Sequence, residues 1–248
     1  MQADEYVKLA DVEDDLWYFR ALHAHVRREL LARVPTTQAT RILDAGCGTG
    51  GLLKRLMPLS SHWTWSAIDF MPQACELTRL RCPGCDIREA SVTSLPFDDA
   101  SFDVVASVDV ICQVPYPVDS TKALAEFMRI LRPGGFLILN VPAYRWMWSY
   151  HDISCHTRHR YSRKEFREQI VHAGFRLGRI SHWNALPFPL VVAKRKLFVS
   201  PPGASDVRAQ PAMIEGVLRG AMAVEQAWLR TGGSFAWGTS LFATATKS

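Results

Sequence analysis

The chain has 248 residues, 48% apolar and 21% charged, which fits one large globular domain, with or without a small appendage, and excludes a disordered or disulfide-stapled class. No apolar run approaches the roughly 20 residues a membrane helix needs, and the acidic opening MQADEYVKLADVEDD lacks the basic-then-apolar order of a secretory signal, so the cytoplasm is the expected location. The net charge of +5 is unevenly held: residues 154–196 carry ten Lys or Arg against two acids, +8, leaving −3 for the remainder, so an acidic partner is expected on that side.

In chain order, Val12, Leu16, Phe19, Leu22, Val26, Leu30 and Leu31 recur at helical spacing and predict one amphipathic helix over 12–33, a cover of the first 36 residues. After Pro35 short apolar strands alternate with helical stretches. Strands are predicted near 41–45, 63–68, 86–89, 102–107, 135–141, 175–182 and 239–246, and helices near 50–57, 71–81, 120–131, 162–173 and 211–230. That alternation predicts an α/β fold, a mainly parallel sheet with helices on both faces. Ser162-Arg-Lys-Glu165 reads as a capping box opening the helix at 162. The Pro-rich, basic stretch 185–210 reads as an irregular, lid-like insertion, so the expected layout is a single domain: core 40–182, lid with helix 185–232, last strand 238–248.

Six cysteines do not make a disulfide framework in a chain expected to stay reduced. Cys82-Pro-Gly-Cys85 has metal-like spacing but no second pair to complete four ligands, so it reads as a turn, and no metal is expected.

Arg41-Ile-Leu-Asp-Ala-Gly-Cys-Gly-Thr-Gly50 is a strand entering a glycine-rich turn and then a helix. The spacing is G-x-G-x-G, whereas dinucleotide binders use G-x-G-x-x-G. The segment resembles the first motif, D/E-x-G-x-G-x-G, of class I S-adenosylmethionine-dependent methyltransferases. Ile68-Asp69, Leu95-Pro-Phe-Asp-Asp-Ala-Ser-Phe-Asp103 and Leu131-Arg-Pro-Gly-Gly135 resemble later segments of that family in the same order, and together the likeness covers about residues 40–182. It implies a Rossmann-like, doubly wound, mostly parallel seven-stranded sheet with an antiparallel last strand, and S-adenosyl-L-methionine as cofactor. It further implies that Asp44 lies near the cofactor's amine and that the backbone of Gly46, Gly48 and Gly50 runs beneath its methionine part. Asp69 would hold the ribose, Ser91 and Val92 would flank the adenine, and Gln113 stands where relatives often carry histidine. The family's base-modifying branch has an N/D/S-P-P-Y/F signature after the fourth strand; here Ser107-Val-Asp-Val-Ile-Cys112 stands instead, so no DNA is expected.

Methyl transfer from a sulfonium needs alignment, exclusion of water and, for a protonated acceptor, a base. Ligands of open α/β sheets bind beyond the carboxyl ends of the strands, which directs attention to the stretch Ser149-Tyr-His-Asp-Ile-Ser-Cys-His-Thr-Arg-His-Arg-Tyr161. The passage from Val141 to Phe175 resembles a bacterial small-molecule subgroup with an HD…H…RY loop. One of His151, His156 and His159 is the candidate base, and Tyr144, Trp148, Tyr150, Arg158 and Arg160 are candidates for binding an apolar or acidic acceptor. The leading expectation is methylation of O, N or C of a small metabolite, natural-product, quinone-like or lipid-linked. The alternatives are RNA binding or modification on the basic 154–196 face, and a nicotinamide-dependent oxidoreductase.

Overall fold

The computed structural model describes residues 3–197, 207 and 210–248. Seven strands form one sheet: β1 (Thr40–Ala45), β2 (Trp63–Asp69), β3 (Asp86–Glu89), β4 (Phe102–Val108), β5 (Leu131–Pro142), β6 (Arg176–Trp183) and β7 (Ser240–Thr246), in the order β3-β2-β1-β4-β5-β7-β6. The first five pair in parallel, and β7 inserts antiparallel between β5 and β6. The order reverses beside β1, so the carboxyl ends of β1 and β4 diverge into a crevice. This is the doubly wound seven-stranded sheet expected from the sequence.

Strands buried on both faces read as unbroken apolar runs, and alternate residues serve opposite layers. Leu43, Val105, Leu137 and Leu139 face a layer built with α5 (Val118–Ile130) and α7 (Arg163–His172), through Leu124, Phe127, Phe166 and Ile170. Ile42, Val104, Ala106 and Ile138 face the other layer, built from α2 (Trp17–Arg33), α3 (Gly51–Leu56), α4 (Pro72–Arg81) and α9 (Ala212–Arg230), through Val26, Leu30, Leu53 and Leu229. The box at Ser162 is formed: its hydroxyl accepts from Glu165 N at 3.2 Å, and Glu165 Oε2 accepts from Ser162 N at 2.9 Å.

Four expectations are corrected. The single helix over 12–33 is two, α1 (Ala3–Val12) and α2, because Glu13 and Asp14 turn toward Thr49, Lys54 and Arg81; the apolar spacing runs through the break and hides it. β5 starts at Leu131 rather than 135, with a register shift against β4 where Leu131 pairs Phe102. The histidine stretch is not wholly loop: α6 (Tyr150–Ser154) opens inside it, where Ser149 N donates to Asp152 Oδ2 at 2.9 Å. The 185–210 stretch is not irregular throughout, since α8 (Phe188–Leu197) occupies much of it; residues 198–206 and 208–209 of the expected lid lie outside the described residues. Cys82 and Cys85 sit at the turn after α4, their thiols against the carbonyls of Gly50 and Trp65. Among the described residues no group of three or more His, Cys, Asp or Glu is placed to hold a metal, and no helix is long and apolar enough to cross a membrane.

Candidate active site

The turn after β1 is built by conformational necessity. Gly46 has φ +100°, and a Cβ there would lie 2.2 Å from Val110 Cγ2, so only glycine lets the turn pass beneath the residues that follow β4. Gly50 (φ +82°) caps α3 and faces Thr78, whose hydroxyl donates to Gly48 O at 3.0 Å. Gly48 N donates to Asp69 Oδ2 at 2.9 Å, and Met71 N to Asp69 Oδ1 at 2.9 Å, so the carboxylate ending β2 is held against the turn by main-chain donors.

Asp44 is different. It is 1% exposed, and neither carboxyl oxygen has a hydrogen-bond partner. Burial first, then the neighbouring Asp69 and Glu13, pushes its pKa up to about 8. A buried acid without partners costs stability unless a ligand supplies the missing donors, which marks it as a binding group. Glu13 reaches the same turn from the α1–α2 break, receiving the Thr49 hydroxyl and Arg81 Nη1, the latter at 2.9 Å; burial likewise raises its pKa. A Cβ on Gly51 would meet Glu13 Cδ at 2.1 Å, so the N-terminal cover and the glycine turn are shaped to each other.

Glu13, Asp44, Gly46, Gly48 and Asp69 line a cavity of about 1100 Å³ together with Ser91, Val92, Asp109, Gln113, His151, His156, Arg158 and Arg160; α1, α2, α8 and α9 complete its apolar walls. Three acids stand at the β1–β2 end and basic groups at the α6–α8 end, so the cavity is electrically polarised. Ser91 Oγ lies 2.8 Å from Thr93 Oγ1, and Gln113 Nε2 donates to Asp109 O at 2.7 Å. The free oxygens of Asp44 fit the amine of S-adenosyl-L-methionine, and the acids as a set fit its positive charge.

Against expectation, Gly50, Tyr144, Trp148, Tyr150 and His159 are not part of this lining. Gly50 lies behind the turn against α4. His159 is buried, stacked on Tyr116 at 3.7 Å with its Nε2 3.8 Å from Glu165. Tyr144, at φ +61°, turns away to stack on His182 at 5.3 Å. Trp148 is exposed, and Tyr150 opens α6 outside the cavity. Arg160 is 3% exposed and pairs with Asp152 at 2.7 Å while donating to Ala143 O at 2.6 Å, which ties α6 to the end of β5. His156 is exposed, in a left-handed conformation (φ +53°), and partial desolvation at the cavity lowers its pKa. Arg158 is exposed at the lining.

The sequence reading missed a network at the end of β4. Asp109, at φ +58°, accepts from Tyr18 Oη at 2.9 Å and from Asn140 Nδ2 at 2.8 Å; Trp183 Nε1 in turn donates to Asn140 Oδ1 at 2.7 Å, and Tyr18 stacks on Trp183 at 5.2 Å. Burial raises the Asp109 carboxyl pKa. The available signal was an acid directly after a strand of the parallel sheet, where ligands gather; its partners come from α2, β5 and β6, which no local pattern joins.

Residues 43–139 match the family model described as a methyltransferase domain. Over 99 residues the chain is 35% identical to a probable phthiotriol/phenolphthiotriol dimycocerosates methyltransferase 2 of Mycobacterium ulcerans (39% of this chain, 37% of the relative). Over 123 residues it is 37% identical to demethylmenaquinone methyltransferase of Clavibacter sepedonicus (46% of this chain, 48% of the relative). The chain thus spans less than half the length of these curated relatives. Among solved structures, it aligns with a chain of the complex between the Haloferax volcanii Trm112 methyltransferase activator and a methyltransferase at TM-score 0.62 and 22% identity, covering 98% of this chain and 97% of that one. Geranyl diphosphate C-methyltransferase of Streptomyces coelicolor A3(2), in complex with geranyl diphosphate and S-adenosyl-L-homocysteine, aligns at TM-score 0.61 and 13% identity, covering 93% and 81%. The sheet order and the glycine turn with its acids agree with these comparisons: the chain has the class I S-adenosylmethionine-dependent methyltransferase fold, and residues 43–139 match a methyltransferase domain.

Proposed function

We propose that this protein transfers the methyl group of S-adenosyl-L-methionine to oxygen, nitrogen or carbon of a small metabolite, natural-product, quinone-like or lipid-linked. The observation that carries the reading is Asp44, a buried carboxyl with two unpartnered oxygens beside a glycine turn, in a cavity with room for a second ligand. The bound cofactor supplies a methyl group already activated by positive sulfur. The protein's part is to hold, align and dehydrate the reactants.

In this reading Asp44 receives the amine, the Gly46–Thr49 backbone cradles the methionine part, Asp69 accepts from the ribose, and Ser91, Val92 and Gln113 surround the adenine. On the acceptor side Arg158 faces an anionic group while Arg160 stays paired with Asp152, and His151 or His156 takes a proton where the acceptor carries one; both histidines line the cavity and His159 does not. The apolar walls, and relatives named for dimycocerosates and demethylmenaquinone, support an apolar acceptor. A nicotinamide dinucleotide is disfavoured because the glycine spacing is G-x-G-x-G and not G-x-G-x-x-G. Isothermal titration tests the reading: S-adenosyl-L-homocysteine binds at micromolar level, Asp69→Ala weakens it at least tenfold, and NADH does not bind. NADH binding without S-adenosyl-L-homocysteine binding overturns it.

A further inference from the structure

We propose that the rim of the cavity is a docking surface for an anionic lipid bilayer, from which a lipid-linked acceptor enters the site; the inference rests on the methyltransferase reading above. The segments that leave β5 and β6 at the same, carboxyl end of the sheet form this rim. α8 packs on the 3-10 turn Arg145–Met147: Phe188 meets the rings of Tyr144 and Trp146 at 6.0 and 6.2 Å, and Lys196 Nζ donates to the Trp148 carbonyl at 3.4 Å. Around that contact Trp146, Trp148, Ile153, Leu186 and Leu190 are between 41% and 68% exposed. Scattered exposed apolar residues are ordinary, but five on adjoining segments at the mouth of a cavity are not.

Leu190 belongs both to this exposed group and to the cavity lining, as does Ile214 at the start of α9. The exposed apolar group therefore reaches the cavity lining at Leu190, which gives a hydrocarbon chain an apolar point of entry. Tryptophan is suited to this place because its ring is apolar and its N–H is satisfied at the headgroup level.

The charges complement an anionic surface. Lys194, Arg195 and Lys196 form the last turn of α8, and Arg145 and Arg158 are exposed beside it. Three acids of this region among the described residues are occupied: Asp152 is buried against Arg160, Glu165 holds the α7 cap, and Glu215 at the start of α9 pairs with Arg219 at 2.8 Å. Basic residues near an anionic leaflet contribute about fivefold each, and apolar insertion supplies the second signal that stable attachment needs. A rigid protein seated here would close the cavity; a bilayer leaves the acceptor's route open.

The test is co-sedimentation of the full chain with vesicles of phosphatidylcholine alone and of phosphatidylcholine with phosphatidylglycerol. The wild type is expected on the mixed vesicles and not on the neutral ones, with attachment weakening as salt rises. Trp146→Ser with Ile153→Ser is expected to lose at least tenfold in partition, and Arg145→Gln with Lys196→Gln roughly 25-fold. Both variants should keep wild-type affinity for S-adenosyl-L-homocysteine, which shows that they fold. The proposal is overturned if the wild type stays in solution with mixed vesicles, if the apolar variant partitions like the wild type, or if single-stranded RNA is bound in preference to the mixed vesicles. In each of those cases intact S-adenosyl-L-homocysteine binding leaves the methyltransferase reading standing; loss of that binding in the wild type removes the reading itself.

Discussion

Asp44 ties ligand binding to pH. With its pKa at about 8 in the empty protein, the carboxyl is neutral through most of the physiological range. A bound ammonium group requires the carboxylate, so binding expels the proton. Affinity is then full above pH 8 and lost as pH falls, because the free protein holds a proton that the complex must release. For a ligand whose amine stays protonated, the apparent dissociation constant scales with one plus the ratio of protonated to ionised Asp44, which makes binding roughly 50-fold weaker at pH 6 than at pH 8. At pH 7 close to one proton leaves per ligand bound, read as the dependence of titration heat on the ionisation enthalpy of the buffer. Asp44→Asn should flatten the profile and weaken S-adenosyl-L-homocysteine about 100-fold at pH 8, by leaving the ligand cation unpaired. The same substitution should raise the thermal midpoint of the empty protein. A carboxyl whose folded pKa lies above its unfolded value costs stability progressively between about pH 4 and pH 8, by about 1.4 kcal/mol per pH unit, and asparagine carries no such penalty. A wild-type affinity flat from pH 6 to 8, with no buffer-dependent heat, refutes the argument.

Tyr18→Phe removes a donor from half-buried Asp109 and should cost about 1 kcal/mol in urea denaturation; an unchanged midpoint would show that the pair contributes nothing. His159→Ala should lower stability by about 1–3 kcal/mol through loss of its stack on Tyr116, with S-adenosyl-L-homocysteine affinity unchanged; lost affinity with wild-type stability would return this histidine to the site. His23 has its pKa pulled down to about 3, chiefly by burial, so the unfolded chain takes up a proton below pH 6.5 that the folded one refuses, and stability falls with acidity from there toward about 3. His23→Gln should lessen that slope by about 1.4 kcal/mol per pH unit between pH 4 and 6, measured by denaturant titration at several pH values.

The succession of strands and helices along the chain and the glycine turn were legible because both are written locally. A glycine turn after a strand declares itself by spacing, and the acids at 44 and 69 stand directly at strand ends, so no long-range knowledge is needed to find them. The acceptor end was not legible in the same way. Histidines at 151, 156 and 159 look equivalent in a line of text, yet the turn at His156 and the Asp152–Arg160 pair send His159 under Tyr116 and leave the other two at the cavity. The break at residues 13–16 escaped detection because a helix and a helix–turn–helix can share one apolar period, and the choice between them lies with Arg81, 68 residues away from Glu13.

By itself, the sequence determined the parallel α/β layering, the glycine turn and the acids at the ends of its first two strands, since backbone conformation and strand-end placement follow from residue type and period. Only the tertiary structure decided which polar groups are left without partners. Asp109 is satisfied by Tyr18 and Asn140, while Asp44, another aspartate at a neighbouring strand end, is satisfied by nothing among the described residues. The reason is that hydrogen-bond satisfaction is a sum over neighbours brought from distant segments, and a residue's need for a ligand appears only when that sum is complete.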